Sequence, residues 1–109
     1  MKKLNNILKG INYSGIADSR PVSGIFYDSR KIKKDSLFIA IKGYNSNGHK
    51  YIKQAIEFGA NSILVEEEIK NKYSVPLIKV NNTRKAMSRI ASNFFNDSSK
   101  NIKITGVTG

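Results

Sequence analysis

Residues Leu37 to Ile41 form an unbroken apolar run, and this run constrains the fold more than any other feature of the sequence. A strand that is apolar on both sides must be covered on both faces, as the strands of parallel sheets in α/β domains are. Similar short runs lie at 24–27, 62–65 and 77–80. We therefore predict buried strands at these positions and a further strand at 102–106.

Three segments carry apolar residues at the spacing of a helix. A short helix over 3–9 should end at Gly10, a second over 49–58 should end at Gly59, and Asn82 should cap a third over 83–96. The apolar stripes of the second and third helices are Tyr51, Ile52, Ala55 and Ile56, and then Met87, Ile90, Ala91, Phe94 and Phe95. This alternation predicts an α/β domain with a small, mostly parallel sheet at its core and flanking helices.

The composition fits one small globular domain and excludes several kinds of site. The 109 residues include no cysteine and one histidine, which excludes disulfides, cysteine zinc sites and His-only metal sites. No apolar stretch approaches the roughly 20 residues of a membrane span, and the N-terminus lacks the apolar core of a signal peptide. We therefore expect a cytoplasmic protein.

The chain is strongly basic, with 19 Lys and Arg against 8 Asp and Glu and a formal net charge of +11. Most of these charges are scattered lysines, and Lys, Asn and Ile are abundant together, as A/T-rich codons would produce. The pattern favours a solvated basic surface, with an anionic small-molecule partner second and a nucleic acid third.

A polar turn follows the first predicted strand, at the edge where open α/β sheets often bind ligands. Ser29 offers one donor and two acceptor lone pairs to a planar heterocycle. Arg30 could hold a phosphate or carboxylate, or pair with Asp28 or Asp35. On residue types alone, a purely structural turn remains the alternative.

The Gly- and Asn-rich loop 43–48 is the second candidate site. Tyr44 can stack on a flat ring, and Asn45 can read a donor and acceptor pair on a base edge. An ordinary loop is the alternative. Elsewhere, His49 lacks neighbours for a metal site, the glutamates at 66–68 are expected to be solvated, and no complete catalytic set is present. The remaining aromatic residues are expected to pack: Tyr13, Tyr51, Tyr73, Phe26, Phe38, Phe58, Phe94 and Phe95.

Taken together, these motifs resemble the N-terminal domain of the Mur ligases, which build peptidoglycan precursors. The resemblance rests on YDSRKIKKDSLFIAIKGYNSNGHKYIKQAIEFGA and on the ending ITGVTG, and it spans about residues 20–109. It implies a UDP-sugar-binding domain over 1–101 and the start of a truncated ATP-binding domain over 102–109. Within the family, the ending favours the branch that adds the third amino acid, diaminopimelate or lysine, over the branch that adds D-alanyl-D-alanine.

The resemblance also implies roles for individual residues. Tyr27, Ser29, Tyr44, Asn45 and Ser46 would bind the UDP end of a UDP-N-acetylmuramoyl-dipeptide, and Gly109 would be the first glycine of the ATP loop. The whole enzyme would use ATP and Mg²⁺, whereas this chain alone would hold no metal or catalytic residue and would be inactive. Its own central and C-terminal domains would be its partners.

Two positions depart from the family pattern, and two other classes of function stay open. Tyr27 stands where the family often has an aliphatic residue, and Asn47 where it usually has Asp. A basic nucleic-acid-binding module would show steep salt dependence and indifference to Ser29. A structural domain would show no saturable nucleotide binding.

Overall fold

A four-stranded parallel sheet forms the centre of the chain, of which the computed structural model describes residues 2–43 and 47–95. Its strands lie side by side in chain order, and a separate antiparallel pair is formed by Lys2–Lys3 and Pro21–Val22. The strands are β1 (Lys2–Lys3), β2 (Pro21–Val22), β3 (Ile25–Phe26), β4 (Ser36–Ile39), β5 (Ala60–Val65) and β6 (Leu77–Lys79).

Helices cover both faces of this sheet. They are α1 (Leu4–Ile7), α2 (Ile52–Glu57) and α3 (Thr83–Phe95), with short 3₁₀ helices at Ser29–Lys31 and Gly48–Tyr51. Because successive strand residues point to opposite faces, Leu37 and Ile39 pack with α1 and α3, while Phe38 packs against α2. All four residues of β4 are buried, which confirms the predicted covered strand and the α/β class.

The ends of the helices follow from local chemistry. Asn82 Oδ1 accepts a hydrogen bond from the backbone N of Lys85 at 3.0 Å, which confirms the predicted N-cap of α3. After α2, Gly59 takes a φ of +121°, and a Cβ there would lie 2.8 Å from Lys34 Cα. A glycine is therefore required at this position both for its backbone angle and for its close approach to Lys34.

Several expectations about these elements were wrong in detail. The β1–β2 pair was not predicted, because two-residue strands show no periodicity. The helix expected over 3–9 covers only Leu4–Ile7, and the expected second helix begins as a 3₁₀ turn. The predicted strand at 102–106 lies outside the described residues.

Some aromatic residues expected to pack are exposed instead. Phe95 is 67% exposed. The buried residues of α3 are at positions 83, 86 and 90, and position 95 lies on a different side of the helix from them. The Phe95 ring meets Phe94 edge to face, with centroids 4.9 Å apart. The other exposed members are Tyr13, Tyr51 and Phe58. Across the described residues, no helix is long and apolar enough to cross a membrane.

Candidate functional site

An open cleft of about 580 Å³ lies where β3 and β4 end. Ile41, Gly43 and Gly48 form part of its wall. The remaining lining residues come from the turn that follows β3, from the 3₁₀ turn before α2 and from α2 itself, namely Tyr27, Asp28, Ser29, Arg30, Tyr51 and Gln54. The carboxyl ends of parallel strands are the usual ligand-binding edge of such sheets, so the position agrees with the sequence prediction.

The turn after β3 is held by Asp28. Its carboxylate accepts hydrogen bonds from Arg30 N at 3.0 Å and from Arg30 Nε and Nη2 at 3.1 Å each. These bonds hold the pKa of Asp28 below its usual value and raise the pKa of Arg30. Arg30 thus pairs with Asp28 rather than Asp35, while its side chain stays 80% exposed at the cleft. The turn is structural, and it also presents a fixed cation to the cleft.

Ser29 lies in the cleft wall but is almost fully buried. Its hydroxyl donates a hydrogen bond of 2.6 Å to Gln54 Oε1, which ties the turn after β3 to α2. Gln54 was not predicted from the sequence. The only sequence signal for a role of Gln54 is that an uncharged amide follows Lys53 on α2. The buried residues of that helix, Ile52 and Ala55, lie on either side of this pair.

Two tyrosines present aromatic surface to the cleft. Tyr27 is 65% exposed and Tyr51 is 41% exposed. Tyr27 was a predicted site residue, whereas Tyr51 was assigned to the packed stripe of the second helix. That assignment was wrong because Tyr51 lies in the 3₁₀ turn before α2, where the spacing of an α-helix does not apply. Exposed aromatic faces inside a cleft suit a flat ring.

The segments on either side of residues 44–46 lie close together. Lys42 and Asn47 form an antiparallel bridge, and Gly48 N donates to Ile41 O at 2.8 Å. A Cβ on Gly48 would lie 2.6 Å from Ile41 N, so this close approach requires glycine. The predicted site residues Tyr44, Asn45 and Ser46, and the predicted ATP-loop residue Gly109, lie outside the described residues.

Asn47 explains one departure from the family pattern. Its Nδ2 donates to Glu67 Oε2 at 2.9 Å, and Lys42 Nζ pairs with the same oxygen at 3.1 Å. These two contacts lower the pKa of Glu67. An aspartate at position 47 would place a second carboxylate against Glu67, so the amide is the compatible residue here.

His49 uses both ring nitrogens within the protein. Nδ1 lies 2.6 Å from Asn47 Oδ1, and Nε2 lies 3.0 Å from the backbone N of Glu66, which donates to it. The ring is therefore neutral with its proton on Nδ1, and burial lowers its pKa. Within residues 2–43 and 47–95, no group of three His, Asp or Glu side chains could hold a metal ion.

The glutamates after β5 are not all solvated, contrary to expectation. Glu66 Oε1 accepts from Thr83 N and from Thr83 Oγ1, both at 2.8 Å, so it caps α3 from a distance in sequence. These bonds lower the pKa of Glu66. Glu67 joins the contacts at the base of the loop, and only Glu68 is exposed. The run of three glutamates in the sequence gives no sign of these hydrogen-bond partners, because they come from distant segments of the chain.

Comparison with known proteins adds to this geometry. Residues 21–95 match the family model described as "Mur ligase family, catalytic domain". The UDP-N-acetylmuramoyl-L-alanyl-D-glutamate–2,6-diaminopimelate ligase of Clostridioides difficile is 45% identical over 98% of this chain and 22% of its own length. The ligase of the same name from Clostridium botulinum is 43% identical over 97% of this chain and 23% of its own.

A solved structure shares the fold. It is the UDP-N-acetylmuramoylalanyl-D-glutamyl-2,6-diaminopimelate–D-alanyl-D-alanyl ligase of Acinetobacter baumannii, with a TM-score of 0.72 and 19% identity. The match covers 84% of this chain and 21% of that one. The chain therefore spans about a fifth of the length of the proteins it matches.

Proposed function

The chain belongs to the Mur ligase family, and on this basis we propose that it is the UDP-sugar-binding part of a ligase that adds diaminopimelate to UDP-N-acetylmuramoyl-L-alanyl-D-glutamate. The two relatives named above carry that activity in their names and match almost the whole chain. They favour the branch that adds the third amino acid, because the D-alanyl-D-alanine-adding neighbour shares only the fold. They also favour diaminopimelate over lysine.

One observation supports the proposal, namely that two of the residues expected to bind the nucleotide, Tyr27 and Ser29, line the same cleft. Tyr27 and Ser29 line it together with Arg30, Tyr51 and Gln54. Its volume of about 580 Å³ falls within the range of roughly 300–1,000 Å³ of small-molecule sites. Aromatic surface, amide and hydroxyl groups and a fixed cation together match a pyrimidine nucleoside diphosphate.

The proposed task of these residues is to bind the end of the substrate that does not react. Tyr27 and Tyr51 supply flat apolar surface for the base, and Arg30 supplies positive charge for the phosphates. Binding energy from a remote part of a substrate can orient the reacting group elsewhere in the complete enzyme. The other predicted residues, Tyr44 to Ser46, come in the sequence between Lys42 and Asn47, which form an antiparallel bridge.

ATP and Mg²⁺ belong to the proposed activity of the complete ligase, where ATP supplies the phosphoryl group that activates the substrate carboxylate. Gly109, the residue expected to begin the ATP loop, lies outside the described residues. We place the UDP-sugar domain at 1–101 and the start of the ATP-binding domain at 102–109. The proposed partners are the dipeptide substrate and the remaining domains of the ligase, in the cytoplasm.

Nuclear magnetic resonance titration of the 109-residue chain with UDP tests this proposal. At about 150 mM salt, where exposed charges are screened beyond about 8 Å, UDP should give saturable shifts centred on Tyr27 and Ser29. A short RNA should give none there. Tyr27→Ala should weaken UDP binding, whereas Tyr13→Ala, at a partly exposed tyrosine outside the cleft, should not. Shifts from RNA alone, spread over lysines, would sink the proposal.

A further inference from the structure

The hydrogen bond between Ser29 and Gln54 determines which polar groups the cleft offers to a ligand. Ser29 Oγ donates its proton to Gln54 Oε1 over 2.6 Å. The amide oxygen of Gln54 is therefore occupied, and its NH₂ group is turned away from Ser29. Gln54 lines the cleft and is half-buried, and among the described residues its side-chain amide bonds only to Ser29. The NH₂ group of Gln54 is therefore available as a donor to a ligand in the cleft.

Packing around this pair fixes its geometry before a ligand arrives. Ile52 and Ala55 are buried on the same helix, so the backbone of Gln54 cannot rotate freely. On the other side of the pair, Asp28 caps the 3₁₀ turn that carries Ser29. Ser29 itself is almost fully buried, so it acts on a ligand mainly by fixing the orientation of the Gln54 amide. A polar group held in this way discriminates between ligands more strongly than one free to rotate.

The two common pyrimidines differ in the group that such a donor would meet. Uracil carries a carbonyl acceptor at C4, whereas cytosine carries an amino donor there. An amide NH₂ can donate a hydrogen bond to the C4 carbonyl of uracil, but it meets a second donor in the C4 amino group of cytosine. We infer that Gln54 is a specificity-determining residue that selects uracil over cytosine, with Ser29 as its positioning residue. The inference rests on the proposed function, since it concerns the base in the same cleft.

The experiment measures the affinities of UDP and of CDP for the 109-residue chain and for three variants. The wild type should bind UDP about tenfold more tightly than CDP, as one matched against one mismatched hydrogen bond gives. Gln54→Glu keeps an acceptor for Ser29 but replaces the donor with a second oxygen, so the preference should vanish or reverse toward CDP. The added charge acts on both diphosphates alike and cancels in the ratio. Ser29→Ala should reduce the preference by freeing the amide to turn over.

Glu57→Gln, an exposed change of the same size on the same helix, is the matched control and should keep the wild-type ratio. The side-chain NH₂ resonances of Gln54 in the unmutated chain provide a second measurement that does not depend on a variant folding. At matched saturation they should shift more with UDP, whose carbonyl accepts from this group, than with CDP.

The outcomes separate the inference from the proposal beneath it. Equal affinity for UDP and CDP, or an unchanged ratio in Gln54→Glu, overturns the role of Gln54 and leaves the UDP site intact. Binding of neither nucleotide overturns the proposed function itself, and the inference with it.

Discussion

Replacing Gly48 with alanine tests how the fold closes the base of the loop beside the cleft. The new Cβ would lie 2.6 Å from Ile41 N and 3.0 Å from Ala40 Cα, and both are backbone atoms. Ordinary contact begins at 3.4 Å, so Gly48 would have to retreat by about 0.8 Å from the backbone of residues 40 and 41, which follow β4. The hydrogen bond from Gly48 N to Ile41 O, now 2.8 Å, would then be lost.

The expected cost follows from these two effects. Overpacking against backbone costs about 1–3 kcal/mol, and the lost hydrogen bond about 1 kcal/mol. Alanine recovers about 0.4–1 kcal/mol by restricting the unfolded chain. We therefore expect Gly48→Ala to lower the free energy of unfolding by about 2–3 kcal/mol in urea denaturation, and to weaken UDP binding as well.

Gly24→Ala is the matched control for this substitution. A Cβ at position 24 meets only the ring of Phe26, at 2.9 Å, and a side chain can move where a backbone cannot. Its cost should stay below about 1 kcal/mol. A Gly48→Ala variant as stable as the wild type, or no less stable than Gly24→Ala, would contradict the required glycine at position 48.

Three further predictions concern the core, the helix cap and pH. Phe38→Ala should cost about 3–5 kcal/mol in urea denaturation, because the ring is fully buried between the sheet and α2; a cost under about 1 kcal/mol would contradict this packing. Asn82→Ala should cost about 1 kcal/mol by removing the cap of α3, while Asn81→Ala should cost little; equal costs would contradict the assigned cap. The His49 ring should titrate below its usual 6.5 by NMR, because burial favours the neutral form. The neutral ring then adds its full contribution to the free energy of unfolding above the unfolded-state pKa, and this contribution is lost as the pH falls through the folded-state pKa. A folded-state pKa above 6.5 would contradict the assigned tautomer.

The parts of the fold that the sequence predicts are those decided by long apolar patterns. The run 37–41 identified β4 because a strand covered on both faces leaves no polar position. The stripe of α3 and its Asn82 cap were predicted for similar reasons. The β1–β2 pair depends on residues far apart in the sequence, and its two-residue strands carry no pattern of their own. Tertiary contact, not local preference, creates such a pair.

The same division holds for the site. Ser29 could be placed from the rule that ligands bind at the carboxyl ends of parallel strands, whereas Tyr27 was named only through the family resemblance; the structure puts both in the cleft. Gln54 could not be found, because its role depends on Ser29, which is 25 positions away. Glu66 was assigned to solvent for the same reason, since the partner that it caps lies on α3. Hydrogen bonds between distant segments have no signature in local composition.

Contacts between the uracil ring and the cleft provide the most direct test of the central claim. Intermolecular nuclear Overhauser effects can be recorded between the ring protons of bound UDP and the side chains of the chain. The account predicts contacts to the rings of Tyr27 and Tyr51, which are exposed in the cleft. Saturable UDP binding with contacts only to another surface, such as that around Tyr13 and Asn81, would contradict it.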